Sequence, residues 1–401
     1  MKNMKRILVS LLLVVCLLVV CLTASAEAPQ YKKMKIAWGT NTTSEAFVKM
    51  QNFFKDVLGP ALNVEFMYSE ALTDAGSMIS FIESAYINGC DGVVMDLANF
   101  IDQGAPVAQD LGMFFVGISS ADAVENLELP NYISVVGASA AGYGESYAKA
   151  IQSVVGDGEE HAIMILSGAA PYGATSFIEG TVGSLRALQD VYGLTYENDL
   201  YAMATSSTQV EAANDKNVKI TVVPGMGDLT ATVSPLLQTG EYDVIVGTTD
   251  IYSSLSVAVD EVEKATGKNI SFISRNVFSD TVSTAMNGVD STGNPVVDAI
   301  VCNGTFEHIS SVVLLRNCFD GFEAQMRGEG RPSRVPGMNP LVITSAEEYN
   351  ALSSDDMPYS FAAIEDIIAL TSLVNPDVTW EDINTYGQSL TTENILIKYA
   401  K

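Results

Sequence analysis

Histidine and the basic residues are scarce in this sequence. It contains two histidines, and its 21 Lys and Arg residues stand against 48 Asp and Glu, for a formal net charge of −27. Such an acidic chain disfavours nucleic acid and anionic lipid, because both are bound through basic patches. The sequence also has no His-rich metal spacing, no nucleophile elbow and no phosphate-binding loop with its lysine. We therefore expect neither an enzyme nor a nucleic-acid-binding protein, and no cofactor.

Cysteine is sparse as well, with five residues in 401. Cys16 and Cys21 lie near the amino terminus, and Cys90, Cys302 and Cys318 are widely separated. An odd number of distant cysteines predicts neither a disulfide framework nor a zinc site. We interpret the last three as small buried hydrophobic residues.

The composition is that of a folded protein. Apolar residues make up 48% of the chain and charged residues 17%. Disordered chains have low hydrophobicity, so this balance argues against disorder. A chain of 401 residues is long enough for one large or two medium domains, each with its own buried core.

The first 26 residues have the features of a secretory signal peptide. Lys2, Lys5 and Arg6 give a positive start, residues 7–22 are almost entirely apolar, and residues 24–26 offer a small-residue cleavage site. The alternative is a membrane anchor, but the apolar run is shorter than the roughly 20 residues that span a bilayer. We expect export to an extracytoplasmic location, periplasmic or at the cell surface.

A lipid anchor is a second possibility for this terminus. Cys21 stands where an exported lipoprotein would carry its lipidated cysteine. The residue before such a cysteine should be small, and here it is Val20. We therefore favour a free exported protein over a lipoprotein.

Short apolar runs alternate with helix-like stretches after Tyr31. The runs that we predict as strands are residues 35–38, 64–68, 92–95, 113–118, 133–136, 162–166, 220–223, 244–247 and 270–273. Alternating strands and helices with short loops predict a doubly wound parallel sheet. The alternation restarts near residue 162, which indicates two similar α/β lobes.

The carboxyl-terminal part departs from this alternation. Residues 328–337 form a Gly-, Pro- and Arg-rich connector, and residues 341–344 resemble a further strand. Helical patterns then cover residues 361–374 and the stretch from Trp380 onward. Residues 350–401 are either a partner surface or a helical extension that packs on the lobes, and we favour the extension.

Several segments follow one another in a recognisable order. They are Lys35-Ile36-Ala37, the polar turn through Ser44 with Phe47, Cys90-Asp91-Gly92-Val93-Val94-Met95, Val136-Gly137-Ala138-Ser139-Ala140-Ala141-Gly142, Tyr242-Asp243-Val244-Ile245-Val246 with Asp250, and Phe272-Ile273-Ser274. Together they resemble the type I periplasmic solute-binding proteins of ABC importers, in the ribose- and galactose-binding branch. The resemblance covers roughly residues 34–329, and residues 341–349 resemble that branch's late strand and turn.

This resemblance implies two doubly wound parallel-sheet lobes joined by three hinge crossovers. The crossovers are expected near residues 137–140, 274–277 and 303–306. The expected amino-terminal lobe combines residues 34–136 with 278–302. The expected carboxyl-terminal lobe combines residues 138–273 with 304–349.

Uncharged polar residues follow the predicted strands, where an open α/β sheet binds its ligands. They are Asn41, Thr42, Thr43, Ser44, Asn99, Ser119, Ser120, Ser139, Thr248 and Thr249. Hydroxyl and amide groups donate and accept hydrogen bonds without a fixed charge, which suits a polyhydroxylated ligand. The alternative is helix capping, because the same residue types are preferred at helix starts.

The resemblance also assigns roles to individual residues. Phe47 falls on the aromatic residue that stacks against the sugar ring, although a core position is the alternative. Asp250 falls on a ligand-binding Asp, and Asn99 and Asn276 fall on acidic positions as amides. The complete expected contact set is Asn41, Thr42, Ser44, Phe47, Asp96, Asn99, Ser119, Ser139, Tyr172, Phe177, Asp250, Arg275, Asn276, Asn303 and Phe306.

Two departures from the family pattern concern arginine. The family has an Arg after the strand that ends near Ile118, where this chain has Ser119 and Ser120, and a second one near Phe177. Arg275 is the one Arg that the sequence places beside the cleft. Fewer charge-assisted hydrogen bonds predict weaker sugar binding or a less hydroxylated ligand.

These observations lead to two hypotheses. The first is a monomeric solute-binding protein that captures a small neutral sugar-like ligand between its lobes and delivers it to the permease and ATPase subunits of an ABC importer. The second is a receptor module that senses such a ligand and signals to a membrane kinase or chemoreceptor.

Overall fold

A computed structural model gives the structure of this chain. It describes residues 30–97, 99–119, 128–156, 159–172 and 174–399, without the side chains of residues 171 and 172. The expected signal peptide, Cys21 and Ser120 lie outside the described residues. Residues Lys33–Lys401 form one unit, to which the description below refers.

The first sheet is built mainly from the amino-terminal third of the chain. Its strands are β1 (Met34–Thr40), β2 (Val64–Ala71), β3 (Gly92–Asp96), β4 (Phe114–Ile118), β5 (Tyr132–Val136) and β12 (Ser333–Val335). Their spatial order is β12-β5-β4-β3-β1-β2, and the neighbours pair in parallel. β5 is buried at every position, as expected for a parallel strand covered on both faces.

The second sheet comes from the middle of the chain. Its strands are β6 (Ile163–Ser167), β7 (Val210–Glu211), β8 (Ile220–Pro224), β9 (Val244–Gly247), β10 (Ser271–Asn276), β11 (Ala299–Cys302) and β13 (Leu341–Ile343). Their order is β13-β11-β10-β9-β6-β8-β7. The central pairs are parallel, and the two edge strands, β13 and β7, run antiparallel to their neighbours. The α/β class and the two doubly wound lobes are confirmed.

Helices connect and cover these strands. They are α1 (Glu45–Phe53, continued by a π-helical turn at Phe54–Leu58), α2 (Gly59–Leu62), α3 (Ala75–Ile87), α4 (Ile101–Asp110), α5 (Ala140–Val155), α6 (Ala169–Tyr172), α7 (Thr175–Tyr192), α8 (Leu200–Ala204), α9 (Leu229–Leu237), α10 (Tyr252–Thr266), α11 (Asp280–Asn287), α12 (Phe306–Phe319), α13 (Glu323–Met326), α14 (Ala346–Leu352), α15 (Ile364–Ala369), α16 (Trp380–Ser389) and α17 (Thr392–Tyr399). None of the helices in the described part of the chain is both long and apolar enough to cross a bilayer.

The chain passes between the two sheets three times within the described residues. The passages follow β5, β11 and β12, at residues 137–139, 303–305 and 336–340. Gly137 has φ of 138° at the first passage, a backbone conformation that favours glycine. The passages expected near residues 137–140 and 303–306 lie where the sequence placed them.

The passage expected at residues 274–277 is wrong. β10 and β11 are neighbours in the second sheet, with Ile273 opposite Ala299, so the chain stays in one lobe there. Residues 299–302 therefore belong to the second lobe. The sequence had suggested the first lobe for them. The missing passage lies at residues 336–340, between β12 of the first sheet and β13 of the second.

Residues 306–335 lie in the first lobe, which also differs from the prediction. Helix α12 packs on strands of the first sheet, and β12 pairs with β5. The side chain of Leu315 lies so close to Gly92 of β3 that a Cβ at Gly92 would be 3.3 Å from it. Most of α12 is buried, which fits a helix enclosed on all sides.

The carboxyl-terminal extension, residues 350–399, contacts both lobes. Helix α16 packs on α12 and β12 of the first lobe, and α17 packs on α14 and β13 beside the second sheet. Gly387 of α16 lies against Gly337 in the third passage, where a Cβ would come within 2.8 Å of the Gly337 carbonyl carbon. The side chain of Asn384 accepts the backbone N–H of Gly337 at 3.2 Å. The extension is thus packed directly onto a hinge segment.

Candidate functional site

The carboxyl ends of the two sheets come together at the first two passages. Asp96 is the last residue of β3 in the first sheet, and Arg275 lies at the end of β10 in the second. Both act on Glu307, in the first turn of α12: burial is the main cause of its raised pKa, Asp96 raises that pKa further and Arg275 lowers it. The Glu307 carboxylate also accepts the backbone N–H of Ala138, which lies in the first passage. We call this region the interlobe cleft.

Arg275 is held on the second-lobe side of the cleft by uncharged groups. Its Nη2 donates to the Tyr143 hydroxyl at 2.7 Å and to Asn303 Oδ1 at 3.3 Å. Its Nη1 donates to Ser176 Oγ at 3.4 Å, and the Tyr143 hydroxyl in turn donates to Asn303 Oδ1 at 3.0 Å. The guanidinium carbon lies 4.5 Å from the Tyr143 ring centre and 5.2 Å from that of Phe177. Two aromatic rings and an amide thus fix the Arg275 guanidinium, whose N–H groups form a fork of hydrogen-bond donors.

Asp96 and Glu307 are carboxyl groups with raised pKa values on the first-lobe side. Burial raises the pKa of Asp96 to about 6 and that of Glu307 to about 8, with the neighbouring Asp96 as the second cause at Glu307. Their side chains keep 28% and 20% of their surface exposed, so water and solutes reach them. Near neutral pH Glu307 therefore retains its proton in most molecules and can donate a hydrogen bond, while Asp96 is mainly an acceptor.

His308 lies between these carboxyl groups and the extension. Its Nε2 is 3.7 Å from Asp96 Oδ2 and 4.0 Å from Glu307 Oε1. Its Nδ1 is 3.1 Å from the hydroxyl of Tyr359, a residue of the extension. Burial lowers the pKa of His308 to about 4, so the imidazole is neutral at physiological pH.

Tyr359 is anchored beside the cleft through its backbone and its ring. Its carbonyl accepts a hydrogen bond from the Thr305 hydroxyl in the second passage. Its ring lies 6.4 Å from the His308 ring and nearly parallel to it, and 5.5 Å from the Phe53 ring at the end of α1. Burial raises the pKa of Tyr359, so its hydroxyl is protonated and able to donate.

Several of the polar residues predicted for the site cap helices. Ser44 accepts the Phe47 N–H at 3.4 Å at the start of α1, and Ser139 accepts the Gly142 N–H at 3.0 Å at the start of α5. Asp250 is exposed and accepts the Ser253 hydroxyl at 2.9 Å ahead of α10. The capping alternative considered from the sequence is therefore realised at Ser44 and Ser139.

Phe47 and Phe306 were predicted to contact the ligand, and the structure places both in the core. Phe47 is 7% exposed and meets the Tyr68 ring edge-on at 5.9 Å. Phe306 is fully buried against Tyr386 of the extension, at 5.4 Å between ring centres. This burial favours a packing role for both rings, and ligand contact at these positions stays a prediction.

Asn276 and Ser119 are also largely enclosed. Asn276 is 7% exposed and pairs with Cys302 across β10 and β11. Ser119 is 7% exposed, and its carbonyl accepts Arg334 Nη1 at 2.8 Å. The side chain of Arg334, a residue of β12, thus occupies the cleft edge at Ser119.

The remaining predicted residues lie at strand ends or outside the description. Asn41, Thr42 and Asn99 are exposed after β1 and β3. The side chain of Tyr172 lies outside the described residues. Among the predicted residues, Arg275 contacts Asn303 and Phe177, so these three form one group. Asp96 belongs to the neighbouring group on the first-lobe side of the cleft.

Reasoning from the sequence missed Tyr143, Ser176, Glu307 and Tyr359. Tyr143 lies one helical turn after Ser139, so the helix-start pattern alone places it on the side of the passage. Glu307 directly follows the correctly placed second passage, where a polar residue at a helix start is a usable signal. Tyr359 has no such signal, since its position depends on how the extension docks.

One group of carboxylates has the geometry of metal ligands. Oxygens of Asp260, Glu263 and Asp290 lie within 4.8 Å of one another beside a cavity of about 260 Å³. Their partners are protein groups: Glu263 accepts the Ile270 N–H at 2.7 Å, and Asp260 accepts the Ser291 N–H at 2.9 Å. Burial raises the pKa of Glu263 to about 7. Glu263 and Asp260 thus accept hydrogen bonds from backbone N–H groups of this chain.

Comparison with known proteins identifies the fold. Neither protein-family models nor curated proteins match the sequence. Solved structures do match: an arabinose-binding protein from Geobacillus stearothermophilus has a TM-score of 0.57 and 15% identity, over 80% of this chain and 98% of that one. An ABC transporter solute-binding protein from Actinobacillus succinogenes with bound D-allose has a TM-score of 0.52 and 13% identity, over 79% and 99%.

A third structure extends the same pattern. The substrate-binding protein of a sugar ABC transport system from Bordetella parapertussis has a TM-score of 0.52 and 12% identity, over 82% of this chain and 92% of that one. At these identities the similarity establishes the architecture. This chain has the fold of the type I periplasmic binding proteins, as the sequence resemblance predicted.

Proposed function

We propose that this chain is an extracytoplasmic solute-binding protein that takes a small, neutral, polyhydroxylated ligand into the interlobe cleft. We further propose that it delivers the ligand to the permease and ATPase subunits of an ABC importer. The observation that carries the proposal is Arg275, fixed between the Tyr143 and Phe177 rings with uncharged hydrogen-bond partners. A preorganised fork of donors beside aromatic rings is the chemistry that binds a hydroxylated ring.

The polar groups of the cleft favour a neutral ligand over a charged one. Arg275 supplies donors, while Asp96 supplies acceptors. A sugar hydroxyl both donates and accepts, so one ring can satisfy all of them. An anionic ligand is disfavoured by Asp96 and by the net charge of −27.

A ligand that binds between the two lobes can stabilise the closed conformation of the cleft. A ligand shifts an equilibrium only as far as it binds one state more tightly than the other. A sugar that contacts Asp96 of the first lobe and Arg275 of the second gains both contacts when the cleft is closed. The fold neighbours support this proposal, since one was solved with bound D-allose and another is described as an arabinose-binding protein.

Thermal unfolding of residues 27–401 with a panel of pentoses, hexoses, nucleosides and amino acids tests the binding proposal. At a hundredfold excess over Kd, a true ligand adds about 2.7 kcal/mol to the free energy of unfolding, which raises Tm by a few degrees. We expect a shift with a sugar and none with an amino acid. Curves that coincide across the panel would refute the binding proposal.

Two variants sharpen that measurement. Arg275→Met should lose the sugar-dependent shift, because it removes the donor fork while keeping an unbranched side chain. Arg186→Met is the matched control, since Arg186 is exposed on α7. Equal shifts in both variants would show that the ligand binds elsewhere.

Uptake of the identified sugar by cells that lack this gene tests delivery. Loss of uptake, restored by the intact gene and not by the Arg275→Met variant, is the expected result. Normal uptake with a lost response to the sugar would favour the sensing receptor instead.

A further inference from the structure

The two ring nitrogens of His308 face chemically different groups, a hydroxyl on one side and carboxyl groups on the other. Nδ1 lies 3.1 Å from the Tyr359 hydroxyl, and Nε2 faces the carboxyl oxygens of Asp96 and Glu307 at 3.7 and 4.0 Å. A neutral imidazole carries one N–H and one lone pair, so these surroundings select between two tautomers.

The two sides of the ring favour the same tautomer. A lone pair on Nε2 would point towards the Asp96 carboxylate, whereas an N–H there is attracted to it. The Tyr359 hydroxyl is a donor at neutral pH because burial raises its pKa, and it finds its acceptor in Nδ1. The consistent arrangement has Tyr359 donating to Nδ1 while Nε2–H points towards Asp96.

Residues outside the extension position Tyr359 beside His308. The Thr305 hydroxyl donates to the Tyr359 carbonyl, and the Phe53 ring lies beside the phenol. Below His308, the Trp38 ring meets the imidazole edge-on at 5.7 Å. The imidazole is thus fixed by rings on the first lobe and by a residue that comes from outside the two sheets.

We propose that the carboxyl-terminal extension takes part in ligand recognition: Tyr359 fixes the tautomer of His308, and the Nε2–H of His308 orients Asp96 as the acceptor for a ligand hydroxyl. Tyr359 is a positioning residue in this scheme, and Asp96 is the residue that contacts the sugar. With Oδ2 turned to His308, the other oxygen of Asp96 accepts from the ligand. This inference rests on the proposed function, because it assumes that the cleft binds a polyhydroxylated ring.

The tautomer can be observed directly because the chain has two histidines. Long-range ¹⁵N–¹H spectra of residues 27–401 resolve the two nitrogens of each imidazole, and His161, whose Nδ1 faces Asp243 at 3.3 Å, serves as an internal reference. We expect His308 to carry its proton on Nε2 and to show Nδ1 as a hydrogen-bonded acceptor. In Tyr359→Phe, the Nδ1 signal should move to the position of an unbonded nitrogen.

Sugar affinity is measured on the same proteins. The probes are L-arabinose, D-ribose, D-galactose, D-allose and myo-inositol, titrated by calorimetry. Loss of one oriented hydrogen bond in Tyr359→Phe should weaken binding of the responsive probe about five- to tenfold. Tyr386→Phe is the matched control: it removes a phenol of the same extension, bonded to Asp366 at 2.9 Å, and should leave Kd and the His308 signals unchanged.

The outcomes separate the inference from the proposed function. A wild-type protein that binds none of the probes refutes the binding function and, with it, a role for Tyr359 in recognition. A wild-type protein that binds a probe no more tightly than Tyr359→Phe refutes the inference alone. A proton on Nδ1 of His308 in the wild-type protein would also overturn it, whatever the affinities.

Discussion

Replacing Glu307 by Gln should change how the stability of this protein depends on pH. Glu307 lies at the junction of both lobes and accepts the Ala138 N–H from the first passage. Glutamine has the same shape and keeps a carbonyl acceptor for that N–H, so the substitution removes the ionisation and little else. Asp96, His308, Arg275 and other titrating groups remain in both proteins.

The size of the effect follows from the proton affinity of Glu307. Its pKa rises from 4.5 to about 8, so the folded state holds the proton more tightly than the unfolded state. The stability that this proton contributes is complete below pH 4.5, falls as the pH rises, and is lost by about pH 8. At about 1.4 kcal/mol per pH unit for one proton, and with 20% of the side chain exposed, the loss between pH 5 and pH 8 is about 3 kcal/mol.

Urea unfolding at pH 5, 6, 7 and 8 measures this loss. The free energy of unfolding of Glu307→Gln, minus that of the wild-type protein, should increase by about 3 kcal/mol across this range. Glu347→Gln, which replaces an exposed acid on α14, controls for the removal of one negative charge. If the difference for Glu307→Gln stays constant with pH, the carboxyl group is not buried in the way described and the reasoning fails.

Three further substitutions test the packing and the donor fork. Gly387→Ala should lower the free energy of unfolding by about 1–3 kcal/mol, because its Cβ would lie 2.8 Å from the Gly337 backbone; urea unfolding against Gln388→Ala, an exposed neighbour, measures this. Tyr143→Phe should weaken sugar binding about tenfold in calorimetry by freeing the guanidinium, and a Kd equal to that of the wild-type protein would exclude a role for its hydroxyl. Phe47→Leu should cost about 1 kcal/mol of stability and leave sugar affinity unchanged, since the ring is buried; a large rise in Kd would restore its predicted stacking role.

The sequence predicts the strands of both lobes well because buried parallel strands are continuous apolar runs. β5 and β6 are buried throughout, and both were recognised from their composition. The crossover expected at residues 274–277 was wrong because these residues have the polar character of any strand end. Which sheet receives β11 is decided by its pairing with β10, a contact between segments more than twenty residues apart.

The candidate site was predicted less completely, for a physical reason. A phenylalanine that stacks on a ligand and one that packs in a core have the same local sequence signature, so the sequence does not distinguish the two roles for Phe47 and Phe306. Capping and ligand contact also call for the same side chains, as Ser44 and Ser139 illustrate. Arg275 reaches the interlobe cleft from the end of β10, although the chain stays in the second sheet at residues 274–277, where the sequence predicted a passage.

The interleaved course of the chain sets an order for its folding. The first sheet is completed by β12, and one of its faces is covered by α12, yet both come from residues 306–335, after nearly all of the second lobe. A chain that emerges from a ribosome or a translocation channel from its amino terminus therefore exposes the edge of β5 until about 200 further residues have followed. Long-range closure of this kind is slow and leaves a pairing edge open to other chains. The first sheet can therefore be completed only after the chain has been released as a whole, when the second lobe is already present.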